Sequence, residues 1–334
     1  MLSGLVRGYT VQLDRELAIY SPAKDSIITI GVFDGVHIGH RYLVSHLKKL
    51  ASEANLASIA ITFRQHPQQI LNPDYQPPFL TDPEEKAELL KAEGIDIVIV
   101  LDFTRDLARM GAREFLEVLQ NRLRMRGLVV GPDFSLGKDN EGNITTLKKL
   151  SQEMNFSLTV IPPVVKNGEI ISSTAIRRSL AEGDMEKVHN MLGRPFSLHG
   201  KVVHGRGRGA SLGFPTVNLN ISPGQAIPSD GVYASLACVK NQIFDSVTNV
   251  GKNPTFGENE RTVESYLLDY QDDLYEHKVR IDFIKKIRDE IKFNNPAELR
   301  NQISIDIKFA RKILADIEKP EHCRIKRSSS TSPI

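Results

Sequence analysis

Two histidines stand in a glycine-rich segment of the chain, GVFDGVHIGH at residues 31–40. An apolar run precedes the segment and a helical pattern follows it, so His37 and His40 can share one face at the start of a helix. The N-terminus of a helix favours bound phosphate, and imidazole N–H groups can donate hydrogen bonds to phosphate oxygens. Gly35 and Gly39 allow a tight turn and a close approach of the backbone to a ligand. The segment therefore predicts a phosphate-binding turn.

The same residues allow two other interpretations. The histidines could be ordinary polar residues at a helix cap. Their spacing also occurs in zinc sites, for which Asp34 and His66 would be candidate further ligands, although no third His or Cys lies close by in the sequence.

Two later segments add polar groups that suit an anion. Ser172, Ser173 and Thr174 open a predicted helix and can cap it, and Arg177 could reach the same anion with its forked donors. Taken alone, this is a plain helix cap. A glycine-rich loop that contains Asp133 directly follows a predicted strand, and loops at such strand ends often build sites.

The second half of the chain carries a different cluster, HGRGRGASLGFPTVN at residues 204–218. Gly205, Arg208 and Gly213 belong to a flexible cationic loop whose amides and guanidinium groups suit polyphosphate. Thr216 and Asn218 follow, and they can point the same way from an extended strand. Their side-chain oxygens are hard ligands of the kind that Mg²⁺ accepts.

A glutamate, Glu264, lies within the apolar run VESYLLD at residues 263–269. A carboxylate in such a strand is either surface-facing or functional. The alternation of side chains leaves both possibilities open.

The predicted secondary structure that would position these residues differs between the two halves of the chain. The first half alternates predicted strands with predicted helices, which favours a parallel sheet covered by helices on both faces. The second half has short strands punctuated by Gly, Pro, Asn and Asp, which favours a small antiparallel barrel. The predicted strands are 26–32, 56–63, 95–101, 127–130, 158–161, 198–204, 231–239, 246–250, 263–268 and 278–286, and the predicted helices are 39–54, 83–93, 113–124, 185–192 and 296–317. We expect one domain over 1–185, a second over 186–318 and a disordered tail over 319–334.

Bulk properties exclude several classes of protein. A net charge of +2 over 334 residues argues against a strongly basic nucleic-acid binder. No signal-peptide core and no apolar run of membrane-spanning length occurs, so we expect no membrane partner. Cys238 and Cys323 have no metal-ligand spacing and predict no disulfide framework, which favours the cytoplasm. The oligomeric state is not predictable from these properties.

The three segments of the first half, in this order, resemble the nucleotidyltransferase superfamily with an HxGH signature. The phrase GVFDGVHIGH is similar to that of the bacterial FAD synthetases. The resemblance implies a Rossmann-like domain in which His37 and His40 bind ATP phosphates and the FMN phosphate attacks the α-phosphorus. It also implies that TFRQHP at residues 62–67 is a flavin-side loop. Leu136 departs from the family, which has an aromatic residue there. Candidates for nucleotide and flavin contact in this half are Gly31, Phe33, Asp34, Gly39, His66, Asp133, Ser172, Ser173, Thr174 and Arg177.

The segments HGRGRG, LGFPTVN, GVYA, VESYLLD and IRDE of the second half resemble the riboflavin kinase domain. That resemblance implies a six-stranded antiparallel barrel with a terminal helix. It makes Thr216 and Asn218 the Mg-ATP ligands, Glu264 the general base and Arg288 a flavin-side residue. The two halves together resemble the prokaryotic bifunctional riboflavin kinase/FAD synthetase family, whose substrates are riboflavin, FMN and ATP. Two further hypotheses stay open, namely that one half is degenerate and that the chain is a non-catalytic flavin carrier.

Overall fold

The structure is a computed structural model that describes residues 8–72, 74–205, 208–252 and 261–319. Contacts between Cα atoms divide the chain into two compact units, Met1–Ser173 and Thr174–Ile334. The predicted boundary lay at residues 185/186. The division seen here falls before it, at the start of the helix Ser173–Glu182. Each unit is built around its own sheet.

The first unit is organised around a parallel sheet of five strands in the order β3-β2-β1-β4-β7. Its core strands are continuous apolar runs, as expected for strands that are buried on both faces. Two small antiparallel hairpins, β5-β6 and β8-β9, accompany the sheet. The strands are β1 (Ser26–Ile30), β2 (Ala57–Phe63), β3 (Ile97–Leu101), β4 (Met125–Val130), β5 (Ser135–Leu136), β6 (Gly142–Asn143), β7 (Ser157–Val160), β8 (Val165–Lys166) and β9 (Glu169–Ile170).

Helices cover both faces of this sheet. Ile27 and Ile28 of β1 point to opposite faces because successive side chains of a strand alternate. Ile28 packs into a cluster that contains Leu116, whereas Ile27 packs into another that contains Leu47. The predicted α/β architecture is therefore confirmed. The helices are α1 (Gly8–Ala18), α2 (Ile38–Glu53), α3 (Pro67–Leu71), α4 (Pro83–Ala92), α5 (Arg105–Ala108), α6 (Ala112–Leu123) and α7 (Ile144–Glu153), with a short 3₁₀ turn at Lys138–Asn140.

The second unit contains the closed barrel that the sequence predicted. Its six strands are antiparallel and follow the order β10-β11-β14-β13-β12-β15. A long final helix packs against β12, β13 and β15. The strands are β10 (Phe196–Val203), β11 (Val217–Ile221), β12 (Gly231–Val239), β13 (Gln242–Lys252), β14 (Arg261–Leu267) and β15 (Lys278–Arg288), and the helices are α8 (Ser173–Glu182), α9 (Met185–Leu192), α10 (Arg208–Ser211) and α11 (Pro296–Ala315).

The interior of the barrel combines apolar side chains with a buried cluster of hydroxyl groups. The Ser235 hydroxyl lies 2.8 Å from that of Ser246 and 2.7 Å from that of Thr248. Thr248 in turn donates to the hydroxyl of Ser265 at 2.9 Å. A buried polar cluster is tolerated when its members bond one another. Because Ser265 points inward, its neighbour Glu264 points away from the interior.

The structure describes one of the two cysteines and only the first residue of the predicted tail. Cys238 is buried in β12 and is disulfide-bonded, which the spacing of the two cysteines did not indicate. The absence of a disulfide framework stays a prediction. Cys323 lies outside the described residues, as does the predicted tail beyond Lys319. Lys319 itself forms an ion pair with Asp245 at 2.8 Å. Among the described residues, no helix is both long and apolar enough to cross a membrane.

Candidate active sites

The turn that follows β1 has an unusual backbone. Phe33, Gly35 and Val36 all have positive φ angles, of 50°, 80° and 37°. Such angles are uncommon for Phe and Val, and they persist only where the surroundings over-determine them. Here Phe33 and Val36 are buried in one apolar cluster with Leu90 of α4. Packing therefore holds the turn in a conformation that the local sequence alone would not favour.

Asp34 fixes the same turn to the segment that precedes α4. Its carboxylate accepts hydrogen bonds from the backbone N–H groups of Leu80, at 2.9 Å, and Thr81, at 3.1 Å. The Thr81 hydroxyl oxygen accepts from Gly35 N–H at 3.1 Å. Asp34 is 5% exposed. The structure thus shows an anchoring role for Asp34, whereas its predicted contact with a ligand stays a prediction.

His37 and His40 are stacked at the start of α2, with ring centroids 3.6 Å apart and an interplanar angle of 17°. His37 is the N-cap residue, and its Nδ1 accepts the backbone N–H of His40 at 3.3 Å. A neutral imidazole that accepts at Nδ1 carries its hydrogen at Nε2. The Nε2–H of His37 is therefore the hydrogen-bond donor that this ring offers.

The environment of His40 keeps its imidazole neutral. Burial holds the pKa of His40 well below its usual range, and the charges of His37 and Lys86 lower it further. Its Nδ1 is buried and finds no hydrogen-bond partner among the described residues. The ring also packs edge-on against Phe33 at 5.2 Å. A buried neutral donor or acceptor of this kind suits a ligand that supplies the missing partner.

Two glycines of the motif are explained by close packing. A Cβ atom at Gly39 would lie 3.1 Å from the His37 ring, and one at Gly31 would lie 3.0 Å from the Phe33 ring. Both distances are tighter than ordinary carbon contacts. These glycines therefore leave room for the rings that shape the turn.

A cavity of about 630 Å³ opens at the carboxyl ends of the parallel strands. In sheets of this type, ligands bind at that edge. Gly31, His66 and Asp133 line it together, so the structure brings three predicted site residues to one place. Its other walls combine polar residues with apolar and aromatic side chains that suit a planar aromatic ligand. The apolar ones include Phe63, Phe103, Leu107, Met110, Phe115, Phe134 and Leu136.

His66 is held in place by a helix cap. It is the N-cap residue of α3, where its Nδ1 accepts the N–H of Gln68 at 3.2 Å and its backbone N–H bonds the side chain of Gln69. As for His37, this leaves the ring hydrogen of the neutral form at Nε2.

The hydroxyl-rich segment reaches the histidine turn through Ser173. Its hydroxyl donates to the carbonyl oxygen of Asp34 at 2.9 Å. Ser172 precedes α8, and Thr174 and Arg177 lie in its first two turns. The phosphate-binding roles of Ser172, Thr174 and Arg177 stay predictions.

The second site is a cavity of about 380 Å³ on the outer face of the barrel. Thr216, Asn218, Glu264 and Arg288 all line it, so the structure brings these four predicted residues together. Glu264 lies directly opposite Asn218 of β11 and Asn249 of β13 in the strand register. Glu264 therefore faces the cavity, whereas its predicted role as the general base stays a prediction.

The glycine-rich loop borders this cavity, which Gly209 and Leu212 line. A Cβ atom at Gly205 would lie 2.0 Å from the side-chain nitrogen of Asn218, so a larger residue there would displace that side chain. Gly213 has a φ angle of 89° and lies outside the cavity lining. Arg208 begins α10, and its side chain lies outside the described part of the structure, as do residues 206 and 207.

Comparison with known proteins identifies the family. A family model described as FAD synthetase matches residues 20–175, and one described as riboflavin kinase matches residues 192–314. A bifunctional riboflavin kinase/FMN adenylyltransferase of Haemophilus influenzae is 36% identical over 286 residues, which cover 85% of this chain and 92% of that protein. The protein so named in Escherichia coli is 35% identical over 302 residues, covering 90% and 96%.

The chain belongs to the bifunctional riboflavin kinase/FMN adenylyltransferase family. A crystal structure described as a macrolide-efflux protein from Streptococcus pneumoniae is also similar, with a TM-score of 0.80 and 32% identity over 86% of this chain and 94% of that one. We take from that likeness the fold alone. The family, the fold class and the order of the two domains that the sequence predicted are thereby confirmed.

Arg288 has a partner that the sequence did not reveal. Its guanidinium makes a bidentate pair with Asp306 of α11, with Nη2 2.7 Å and Nε 3.0 Å from the carboxylate oxygens. Gln302 donates to the same carboxylate at 2.9 Å. The centroid of the Phe293 ring lies 5.9 Å from the guanidinium carbon of Arg288. Arg288 and Asp306 thus tie the end of β15 to α11 along the cavity wall.

Glu290 is a second residue of the cavity lining whose role sequence reasoning missed. Burial and the charge of Asp230 raise its pKa, while a hydrogen bond with Asn249 and the charges of Arg261 and Arg288 oppose that rise. The carboxylate of Glu290 lies directly against the backbone of Gly251 in β13, where an added Cβ atom would collide with it. Asn249 of β13 was also missed, and it lies opposite Glu264 in the strand register. The alternation of side chains along β13 is the sequence signal that could have indicated it.

The zinc alternative gains no support. Within the described ranges, no group of three or more His, Cys, Asp or Glu side chains is placed to hold a metal ion.

Proposed function

We propose that the barrel phosphorylates riboflavin and that the N-terminal sheet then adenylylates the product, in the reverse of chain order. In the barrel, the 5′-hydroxyl of the ribityl chain attacks the γ-phosphorus of ATP. Glu264 takes the proton of that hydroxyl, and ADP leaves. The observation that carries this assignment is the position of Glu264, which faces the cavity between Asn218 and Asn249.

Thr216 and Asn218 are proposed to hold Mg²⁺ in the barrel site. Their side chains offer hydroxyl and carboxamide oxygens at one wall of the cavity. Mg²⁺ favours a few such oxygen ligands together with phosphates and water. When bound, it would neutralise charge on the β- and γ-phosphates. Gly205 supports this role, since its missing side chain leaves the space that the Asn218 amide fills.

In the N-terminal unit, a phosphate oxygen of FMN is proposed to attack the α-phosphorus of ATP, and pyrophosphate leaves. No covalent enzyme intermediate is required, because positioning and charge stabilisation are sufficient. His37 donates from Nε2, which its cap geometry leaves protonated. His40 acts on the same phosphates, together with Ser172, Thr174 and Arg177. The flavin ring is proposed to occupy the cavity that His66 and Asp133 line.

The functional domains are proposed as residues 1–185 and 186–318. The cytoplasm is the proposed location, because both reactions consume ATP.

A time course tests the proposal. The purified chain is incubated with riboflavin, ATP and Mg²⁺, and flavins and nucleotides are separated by chromatography. FMN and ADP should form first, and FAD and pyrophosphate should follow. FMN without FAD would indicate a degenerate N-terminal half, and flavin binding without any ATP turnover would indicate a carrier.

A further inference from the structure

Lys86 occupies a core position in α4. It is 4% exposed, and it is one of two buried residues of this helix, the other being Leu90 one turn later. No other lysine or arginine in the described ranges is buried to this degree. An ammonium group is costly to bury unless nearby groups compensate its charge. The groups that compensate the charge of Lys86 therefore indicate its role.

The ammonium group of Lys86 binds the end of a sheet strand. Its Nζ donates to the carbonyl oxygen of Phe63 at 2.6 Å. Phe63 is the last residue of β2, it lines the cavity of the N-terminal unit, and the flavin-side segment 62–67 passes through it.

The same ammonium group is coupled to the histidine turn. The carboxylates of Asp34 and Asp82 lie close enough for their charges to raise the pKa of Lys86 against the effect of burial. Asp34 is the residue that anchors the turn to Leu80 and Thr81. Lys86 also lies close enough to His40 to lower the pKa of that imidazole.

We propose that Lys86 is a positioning residue for adenylyl transfer: its ammonium group holds the carbonyl of Phe63 and balances the charge of Asp34, and so keeps the flavin-side segment in register with the histidine turn. This inference rests on the function proposed for the N-terminal unit. Lys86 is proposed to act through Phe63 and Asp34 rather than by touching a substrate. It also places a positive charge at the edge of the sheet where phosphates would bind.

The charge of Lys86 should be visible in the pH profile. Burial is the main cause that lowers its pKa to about 8. The group is therefore charged below that pH and loses its charge as the pH rises through it. Besides Asp34 and Asp82, the groups near it are His40 and the stacked His37. Carboxyl and imidazole groups ordinarily titrate at lower pH. A loss of FAD formation around pH 8 would thus report Lys86.

Three variants test the proposal: Lys86→Met, Lys86→Arg and the control Lys91→Met. Lys91 belongs to the same helix, but its side chain is 60% exposed and only approaches Glu88. Each variant is assayed for FAD formation from added FMN and ATP, and for riboflavin phosphorylation in the same sample. Riboflavin phosphorylation serves as an internal measure of intact protein.

Lys86→Met should lower kcat for FAD formation about tenfold or more, as expected when a preorganised charge is lost, while riboflavin phosphorylation stays unchanged. Lys91→Met should change neither rate. The decline in FAD formation at about pH 8 should be present in the unmodified chain and absent from Lys86→Met and Lys86→Arg. In the NMR titration of His40, the pKa should rise in Lys86→Met.

The proposal is overturned if folded Lys86→Met keeps the kcat of the unmodified chain, or loses activity but keeps the same alkaline decline. If Lys86→Met does not fold, Lys86→Arg decides, because arginine keeps its charge throughout this pH range. A folded Lys86→Arg that still declines at about pH 8 would also overturn the proposal. An unmodified chain that makes no FAD from FMN would instead contradict the proposed function.

Discussion

Asn218 and Glu264 lie directly opposite each other on the neighbouring strands β11 and β14. Side chains in that relationship have Cβ atoms about 4.5–5.5 Å apart, so they act on the same small volume. A proposed metal ligand and a proposed base are thus fixed by strand register rather than by a loop. The register also turns Val263 and Ser265 into the barrel interior, where both are buried. The barrel core therefore determines where the carboxylate points.

Replacement of Glu264 by alanine should separate the two reactions. Without the base, phosphorylation of riboflavin should fall by about 10²–10⁴-fold. FMN that is added directly should still become FAD, because the N-terminal unit is unchanged. Chromatography of both assays measures this. Glu276→Ala is a matched control, since Glu276 is an exposed carboxylate of the same unit that pairs with Lys201. Loss of both reactions in folded Glu264→Ala would contradict the division of labour.

Replacement of His37 or His40 by alanine should give the opposite pattern. Riboflavin should still be converted to FMN, which then accumulates because FAD formation stops. His46→Ala is the control, because His46 lies further along the same helix and bonds the carbonyl of Tyr42. If FAD still forms at the original rate in both variants, the histidine pair has no part in adenylyl transfer.

The buried imidazole of His40 predicts how stability depends on pH. Its pKa is held well below 6.5 in the folded chain. As the pH falls through about 6.5, an unfolded chain would bind a proton that the folded chain does not. The free energy of unfolding of the N-terminal unit should therefore decrease over that range, and His40→Gln should remove part of this decrease. Thermal melting at several pH values measures the effect, and an equal slope in both proteins would contradict it.

Much of the fold was predictable because hydrophobic periodicity and turn residues agreed. The bounds predicted for α9 and β12 match the structure. Helices α1 and α7 were missed, as were the short helices α3, α5 and α10. Helix α7 begins Ile-Thr-Thr, and β-branched residues have low helix propensity. Its stability comes from the burial of Leu147 and Leu150, which is tertiary information.

The site residues divide along the same line. Motif glycines, paired histidines and Glu264 stood out because their types or contexts were unusual in the sequence. Asp306 and Lys86 did not, because charged residues in an amphipathic helix normally face solvent. Each is buried only because its partner, Arg288 or Phe63, comes from a distant strand. Periodicity carries no information about such pairs.

Replacement of Gly205 by alanine should impair the kinase while leaving the backbone conformation allowed. The added Cβ would collide with the Asn218 amide and push it from its place opposite Glu264. We expect riboflavin phosphorylation to fall by about tenfold or more, since small misplacements at a reacting centre are costly. FAD formation from added FMN should not change. Gly131→Ala is a suitable comparison, because its Cβ would meet no atom within 4 Å.

The buried ion pair between Arg288 and Asp306 predicts that Asp306→Asn strongly lowers the free energy of unfolding. Their side chains are 19% and 3% exposed, so Asp306→Asn would leave the guanidinium charge buried and uncompensated. Breaking a buried pair in this way costs about 3–5 kcal/mol of unfolding free energy. We also expect a higher KM for riboflavin, because Arg288 and Phe293 line the cavity together.

The exposed pair between Arg311 and Asp269 provides the comparison on the same helix. Both of its side chains are largely solvated, at 49% and 74%. Exposed ion pairs contribute little, because water and salt screen them. Denaturant unfolding of Asp269→Asn should therefore match the unmodified chain, whereas Asp306→Asn should shift clearly. If the two variants lost equal stability, burial of the Arg288 pair would not be what gives it its strength. If Asp306→Asn were less stable but kept its KM for riboflavin, the pair would support the barrel without shaping the flavin side of the cavity.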